Sequence, residues 1–225
     1  MVISPPASRS SAPPDSAIEI RADQIVHWIG ISAASIAVGL LVGILVREHV
    51  AGRFWPGVIY GFGLLAMLGC SAAYNLARGS PRKELLRRLD HAAIFLMIAG
   101  TYTPFLTSVP DSTGARGLLT AVWCTAIAGA AAKLTFPERL KRISIPLYLL
   151  LGWALVFALR PLIAAMAPTT VVLLGVGGAL YTVGVPVHLW DALPFNKALW
   201  HGLVIAAAAC HYCAVLYGVA LAPAL

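Results

Sequence analysis

Long runs of apolar residues, each of about twenty, recur along most of this 225-residue chain. A helix of that length crosses the hydrocarbon core of a bilayer, which is about 30 Å thick. The composition agrees, because 60% of the residues are hydrophobic and only 11% are charged, whereas soluble domains are about half apolar and a quarter charged. The pattern predicts an all-α, polytopic membrane protein and leaves no room for a second, soluble domain.

Seven membrane spans are predicted, and their short connectors make successive helices antiparallel neighbours in one seven-helix bundle. Their approximate bounds are 25–46, 56–76, 89–109, 117–136, 143–160, 169–190 and 197–221. The segment ahead of them, residues 1–20, is rich in Pro, Ser and Ala and shows no useful periodicity. We therefore expect a flexible N-terminal tail followed by a membrane domain over residues 21–225.

The net charge of +7 is distributed in a way that indicates orientation and does not indicate nucleic-acid binding. Basic residues fall in the connectors, and only four of the 16 Lys and Arg residues lie on the side opposite the N-terminus. Those four are Arg47, Arg53, Arg116 and Arg160. Because Lys and Arg accumulate on the cytoplasmic side of a membrane, the N-terminus is predicted to be cytoplasmic and the C-terminus to lie on the far side.

Polar side chains cluster at the predicted cytoplasmic ends of four spans. They are Ser71 and Asn75 in span 2, Asp90 and His91 in span 3, His188 and Asp191 in span 6, and Lys197 and His201 in span 7. A charged group at the bilayer centre costs about 2.5–3.5 kcal/mol on insertion scales. Membrane helices therefore rarely carry a charged side chain that has neither a partner nor a functional role. The convergence predicts a polar pocket in the cytoplasmic leaflet.

Simpler roles remain open for several polar residues. Residues near span ends also extend to the interface or cap a helix, and His91, His188 and Asn75 suit that role as well as a pocket. His27 is interpreted as an interfacial residue of the first span. His211 lies about 15 Å beyond His201 along its helix, so we expect it to be hydrogen-bonded within the bundle and not part of the pocket.

Four segments resemble the hemolysin III family, the bacterial branch of the progestin and adipoQ receptor superfamily. They are "SAAYNLA" (71–77), "LRRLDHAAIFLMIAGTYTPF" (86–105), "GGALYTVGVPVHLW" (177–190) and "LPFNKALWHGLVIAAAACHYCAV" (193–215). The resemblance covers most of residues 24–221. It implies a multi-pass protein of the bacterial inner membrane with seven helices, related to alkaline ceramidases.

The resemblance also implies a zinc site in the cytoplasmic leaflet. The family motifs are Ser-x3-His, an Asp that opens the third helix, and His-x3-His, in which three His bind zinc while the Ser and Asp hold a zinc-bound water. Ser71, Asp90 and His201 match these motifs, but Asn75 and Lys197 stand where the other two His are expected.

These two replacements weaken the implied zinc site. Zinc favours imidazole or thiolate ligands over a neutral amide, and a protonated Lys repels a dication. Zinc binding would then need a ligand set outside the family motif, drawn from Asp90, His188 or Asp191. We predict instead that the Lys197 ammonium pairs with Asp90, so that an organic cation takes the place of the metal.

Three functions follow from the sequence. The first is a hemolysin III-like membrane protein whose polar pocket, lined by Asn75, His91, His188 and Lys197, binds membrane lipids. The alternative, implied by the family relationship, is a zinc-dependent intramembrane hydrolase of lipid amides with Ser71 and Asp90 as catalytic residues. A second alternative, suggested by the family name, is a pore-forming hemolysin, although the apolar spans offer little to line a pore.

Overall fold

The computed structural model describes residues 16–49, 52–77, 79–109 and 113–222, which are helical and contain no strand. Seven helical segments within these ranges are long and apolar enough to cross a membrane, which confirms the predicted number and order. They are α1 (Ala17–Glu48), α2 (Phe54–Leu76), α3 (Lys83–Thr107), α4 (Thr113–Thr135), the broken segment Ser144–Ala165, α8 (Pro168–Leu189), and α9 (Asn196–Val215) with a π-helical end to Ala220. A short helix, α5 (Pro137–Leu140), follows α4.

The first helix begins earlier than the apolar pattern predicts. Ser16 caps it, since the Glu19 backbone N–H donates to Ser16 Oγ at 3.2 Å and the Ser16 N–H donates to a Glu19 carboxylate oxygen at 2.8 Å. Such a reciprocal pair satisfies two backbone donors that the helix end leaves free. α1 therefore starts within the segment expected to be a flexible tail, and Asp23 lies inside the first helix. The expectation for residues 1–15 lies outside the described residues.

The fifth span is not one continuous α-helix. It consists of α6 (Ser144–Trp153), a 3-10 segment (Ala154–Ala158) and α7 (Leu159–Ala165). The buried Tyr102 hydroxyl lies 2.7 Å from the Leu151 carbonyl oxygen and accepts the Leu155 N–H at 2.6 Å. Tyr102 on α3 thus satisfies backbone groups at the change of helix type, where regular pairing is interrupted.

The third helix is the centre of the bundle. Two thirds of its most apolar stretch is buried, the largest share of any span, and Phe95 and Phe105 are fully enclosed. Glycines let α2 approach α3 closely, since a Cβ added to Gly100 on α3 would lie 3.4 Å from the Ile59 carbonyl oxygen on α2. Small residues at such contacts allow tight helix packing inside a membrane.

The bundle closes between its first and last helices. α1 packs against both α2 and α9, and the Tyr212 hydroxyl on α9 donates to the Ala37 carbonyl on α1 at 2.7 Å. Large apolar side chains such as Ile36, Phe62 and Phe157 point outward and are mostly exposed, as contact with lipid tails requires.

We call the side of the bundle on which α1 begins the N-side. Direct contacts join helix ends there: the Phe195 N–H donates to Glu19 at 2.9 Å, Arg88 donates to the Leu134 carbonyl at 3.1 Å, and the Tyr148 hydroxyl donates to the His91 carbonyl at 2.8 Å. The starts of α1, α3, α6 and α9 and the end of α4 therefore lie on one side. The polar residues singled out in the sequence are near this side.

Candidate polar site between the first and last helices

An Asp–His pair joins α1 to α9 beneath the N-side. Asp23 Oδ1 lies 2.6 Å from His201 Nδ1, a short hydrogen bond between residues 178 positions apart. Both side chains are largely enclosed, with exposed fractions of 12% and 13%. Hydrogen bonds to a carboxylate are shorter and stronger than neutral ones, so this contact fixes the orientation of the His201 ring.

A second histidine completes the cluster. His27 lies one helical turn after Asp23, so both project from the same face of α1. Its Nε2 is 3.7 Å from Asp23 Oδ2, and its ring centroid is 4.2 Å from that of His201. His27 is only 5% exposed, and its Nε2 has no hydrogen-bond partner among the described residues.

Asp23, His27 and His201 each offer a ligand atom, and these three atoms lie within 4.8 Å of one another. We call these three residues the α1–α9 triad. A small cavity of about 10 Å³ lies between the starts of α1 and α9 and borders Asp23, but neither His27 nor His201 is part of its lining. Its wall includes Glu19, Asp23 and Lys197. One carboxylate and two imidazoles are a ligand set that divalent transition metals accept.

Asp90 on α3 lies beside this triad. Its carboxyl group is close enough to interact with Ser71 on α2 and with His201 on α9. Three helices therefore bring Ser71, Asp90 and His201, the residues that match the family motifs, into one neighbourhood. Both Ser71 and Asp90 are half-buried.

The residues at the family's other two zinc positions do not fit a metal. The Asn75 amide donates to the carbonyl of Ser71 one turn earlier at 3.0 Å, which binds it to its own helix. Lys197 is exposed and carries an ammonium that interacts with Glu19 and Asp23. An amide held by its own backbone and an ammonium are unsuitable zinc ligands.

The predicted ion pair between Asp90 and Lys197 is not found among the described residues. Lys197 instead interacts with Asp23 and Glu19 of α1, whereas Asp90 interacts with Ser71 and His201. The reason is the order of packing: α9 lies mainly against α1 and α8 and touches α3 only slightly. Lys197 is also one turn nearer the N-side surface than His201.

The remaining histidines singled out in the sequence lie outside the triad, although His188 is close enough to interact with His201. The His188 ring is exposed and packs 5.1 Å from the Trp200 ring. His91 lies near Lys133 and Arg87 on a different face of α3 from Asp90. His211 Nε2 lies 3.3 Å from the Leu174 carbonyl, which confirms it as a hydrogen-bonded histidine of the bundle.

Sequence reasoning missed Asp23 and His27 as site residues. Asp23 lay outside the predicted first span, and His27 was interpreted as interfacial, whereas it is buried against His201. The signal was present: Ser16-x-x-Glu19 is a capping box that starts a helix at Ala17, and Asp23-x3-His27 then falls on one helical face.

The helices and their polar site define a multi-pass α-helical membrane protein with a carboxylate–histidine cluster below one membrane surface. Residues 21–212 match the family described as Haemolysin-III related. The chain belongs to this hemolysin III family, within the progestin and adipoQ receptor superfamily.

Curated relatives support the family over nearly the whole membrane domain. The chain is 33% identical over 199 residues to the "Hemolysin-3 homolog" of Bacillus subtilis (strain 168), covering 87% of this chain and 92% of that protein. It is 33% identical over 196 residues to "Hemolysin-3" of Bacillus cereus, covering 87% and 90%. The human "Monocyte to macrophage differentiation factor" is 28% identical over 194 residues, covering 81% and 79%. No solved structure matches the chain.

Proposed function

We propose that the protein is a lipid-binding protein of the bacterial inner membrane, with its N-side facing the cytoplasm. The observation that carries the proposal is the convergence of polar side chains from four helices in an otherwise apolar bundle. Asp23 and His201 are hydrogen-bonded to each other, and Asp90 lies beside His201 and Ser71. The class of ligand is a membrane lipid whose headgroup carries an amine.

The half-buried Asp90 supports an amine-bearing ligand. A carboxylate offers about four acceptor positions, and Ser71 supplies one hydroxyl donor to this group. A charge in an apolar environment is costly unless it is paired, and a lipid ammonium at the membrane surface pairs with a carboxylate. Lys197, exposed about one turn nearer the N-side surface, offers a cation to the lipid phosphate.

Lipid retention tests the proposal. Protein is incorporated into nanodiscs made of equal amounts of phosphatidylethanolamine and phosphatidylglycerol, released, and examined by native mass spectrometry. We expect retained lipid to be enriched in phosphatidylethanolamine, and Asp90→Asn to lower that enrichment at least about threefold because the carboxylate is lost.

Asp191→Asn is the matched control, since Asp191 is an exposed acid between α8 and α9. It should leave the ratio of the two lipids unchanged. Equal retention of both lipids by the unmodified protein, or equal effects of the two substitutions, contradicts the proposal.

A hydrolase of lipid amides is the second candidate, favoured by the neighbourhood of Ser71, Asp90 and His201. In such a hydrolase Asp90 would position an attacking water, and Ser71 would hold its second hydrogen bond. Release of fatty acid from a ceramide-like amide in proteoliposomes, abolished by Asp90→Asn and by Ser71→Ala, supports this candidate. No release by the unmodified protein rejects it. Pore formation ranks last, because the outward surfaces of the described helices are apolar.

A further inference from the structure

We propose that Lys133 and Arg87 bind one phosphate of cardiolipin, an anionic lipid with two phosphates, and that exposed cations between α4 and α6 bind the other. The inference goes beyond the proposed binding of an amine-bearing lipid and does not rest on it, because this site lies on the His91 face of α3 and not on the Asp90 face. Three observations carry it: the enclosure of Lys133, the contacts of Arg87, and the charge of the surrounding surface.

Lys133 is an enclosed cation without a direct partner. The residue is only 2% exposed, and its ammonium makes no hydrogen bond or ion pair with the described residues. It lies in the last turn of α4, where the carbonyl end of a helix favours a cation, but that position does not explain its enclosure. A charge removed from water is costly unless it is paired, so this ammonium favours an anionic ligand.

Arg87 places a second cation beside Lys133. Lys133 is close enough to be repelled by Arg87 and attracted by Glu138, but Arg87 already donates to Glu138 at 3.2 Å and to Glu84 at 2.9 Å. Arg87 makes these bonds through Nε and Nη2, and its Nη1 has no hydrogen bond to the described residues. A phosphate between Arg87 and Lys133 would offset their repulsion and accept charge-assisted hydrogen bonds from both.

The two cations lie where α3 begins and α4 ends, on the N-side. Arg88 donates to the Leu134 carbonyl at 3.1 Å, which holds the end of α4 against α3. The contact of Arg87 with Glu138 holds α5 at the same place. Lys133 precedes the end of α4 by two residues, about 3 Å along the helix axis. Its flexible stem therefore lets the ammonium reach the level of the lipid phosphates.

The surface around Lys133 is strongly basic. Residues 82–88 and 133–142 carry eight Lys or Arg side chains and two Glu side chains. Arg139, Lys141 and Arg142 are exposed and follow α4 directly. Basic pockets between membrane helices at the cytoplasmic surface attract anionic headgroups. Since these three cations can bind a second phosphate, the site favours cardiolipin over a lipid with one phosphate.

Lipid titration tests the inference. Full-length protein is delipidated in mild detergent and titrated with cardiolipin, phosphatidylglycerol or phosphatidylcholine, and bound lipid is measured by native mass spectrometry. We expect cardiolipin to bind at least about fivefold more tightly than phosphatidylglycerol, and Lys133→Met to weaken cardiolipin binding about fivefold, because one cation at the phosphate is lost. Combining Arg139→Gln, Lys141→Gln and Arg142→Gln should abolish the preference for cardiolipin over phosphatidylglycerol. Equal binding of cardiolipin and phosphatidylcholine overturns the inference.

Arg116→Met is the matched control, because Arg116 is an exposed cation at the opposite end of α4. This substitution removes the same charge from the same helix and should leave the affinity for cardiolipin unchanged. Equal losses of affinity in Arg116→Met and Lys133→Met would mean that cardiolipin responds to net charge alone, which contradicts the assignment to Lys133.

Thermal unfolding distinguishes lipid binding from a structural role of Lys133 and from binding of free phosphate. Without lipid, Lys133→Met should unfold at the same temperature as the unmodified protein or higher, because it removes an enclosed, unpaired charge. Cardiolipin should raise the unfolding temperature of the unmodified protein and not that of Lys133→Met. A lower unfolding temperature of lipid-free Lys133→Met, or equal stabilisation of the unmodified protein by inorganic phosphate, overturns the inference.

Discussion

Asp23 is the residue on which the polar site depends, because it touches both histidines. It is hydrogen-bonded to His201 at 2.6 Å and lies 3.7 Å from His27. Removing the histidine partner of an enclosed carboxylate leaves the carboxylate without compensation, which is more damaging than removing both groups. The coupling energy between Asp23 on α1 and His201 on α9 should therefore be measurable.

A double-mutant cycle on Asp23→Asn and His201→Gln, in chelator-treated protein, measures this link. We expect a coupling energy of about 1–3 kcal/mol in the free energy of unfolding in detergent, because the two side chains are in direct contact. Chelation removes any contribution from metal.

The matched cycle uses Asp90→Asn and Lys197→Met, which the sequence had predicted to be a pair. Since Lys197 interacts with α1 and not with Asp90, these two changes should add to within about 0.5 kcal/mol. Strong coupling of Asp90 to Lys197, with none between Asp23 and His201, contradicts the arrangement described above.

The sequence predicts some residues of the site and not others for a physical reason. Asp90 and His201 stand out because they interrupt apolar runs. Their partners cannot be predicted in the same way, because contacts such as Asp23 with His201 join positions 178 residues apart. Which cation faces which carboxylate depends on the helices that pack against α9. No local sequence pattern shows which helices those are.

At the scale of helices, Gly177 on α8 allows a close approach to α9. A Cβ at Gly177 would overlap the His211 ring and lie 3.1 Å from the Ala207 carbonyl oxygen, whereas a Cβ at Gly175 would meet nothing within 4 Å. The two glycines lie on the same helix, so they form a matched pair for testing the contact.

Gly177→Ala should destabilise the protein by about 1–3 kcal/mol, because overpacking forces the ring or the helices to shift. Gly175→Ala should be neutral or stabilising by up to about 1 kcal/mol, because Ala favours the helix. Thermal unfolding in detergent measures both. Equal effects of the two substitutions would show that α8 and α9 are not in close contact at Gly177.

Helix existence was predictable, and helix ends were not. Apolar length determines that a segment spans the membrane, and all seven spans are confirmed. The start of α1 depends on hydrogen bonds of Ser16 and Glu19, which lie in a polar segment without apolar periodicity. The break in the fifth span depends on Tyr102 of another helix, which no local signal within residues 143–160 reveals.

At the scale of the whole molecule, the basic residues predict the orientation of the bundle. Arg87, Lys133, Arg139 and Lys197 all lie towards the N-side, which the positive-inside rule assigns to the cytoplasm. Reporters fused after Ala77 or near Arg139 should therefore report the cytoplasm, and one fused after Leu225 should report the far side. A cytoplasmic C-terminal reporter would refute the seven-span, N-in orientation.

The contact between α1 and α9 has a consequence for biosynthesis. α1 is synthesised before α9, and 178 further residues must be added after Asp23 to reach His201. At 5–20 residues per second that delay is roughly 10–35 s, during which Asp23 and His27 of α1 lack the contact with His201. α1 also has the highest mean hydropathy of the seven spans, 2.5 against 1.2 for the enclosed α3. We expect the high hydropathy of α1 to let the helix insert and remain in place until α9 is made, so that the polar site is assembled only after α9 has been synthesised.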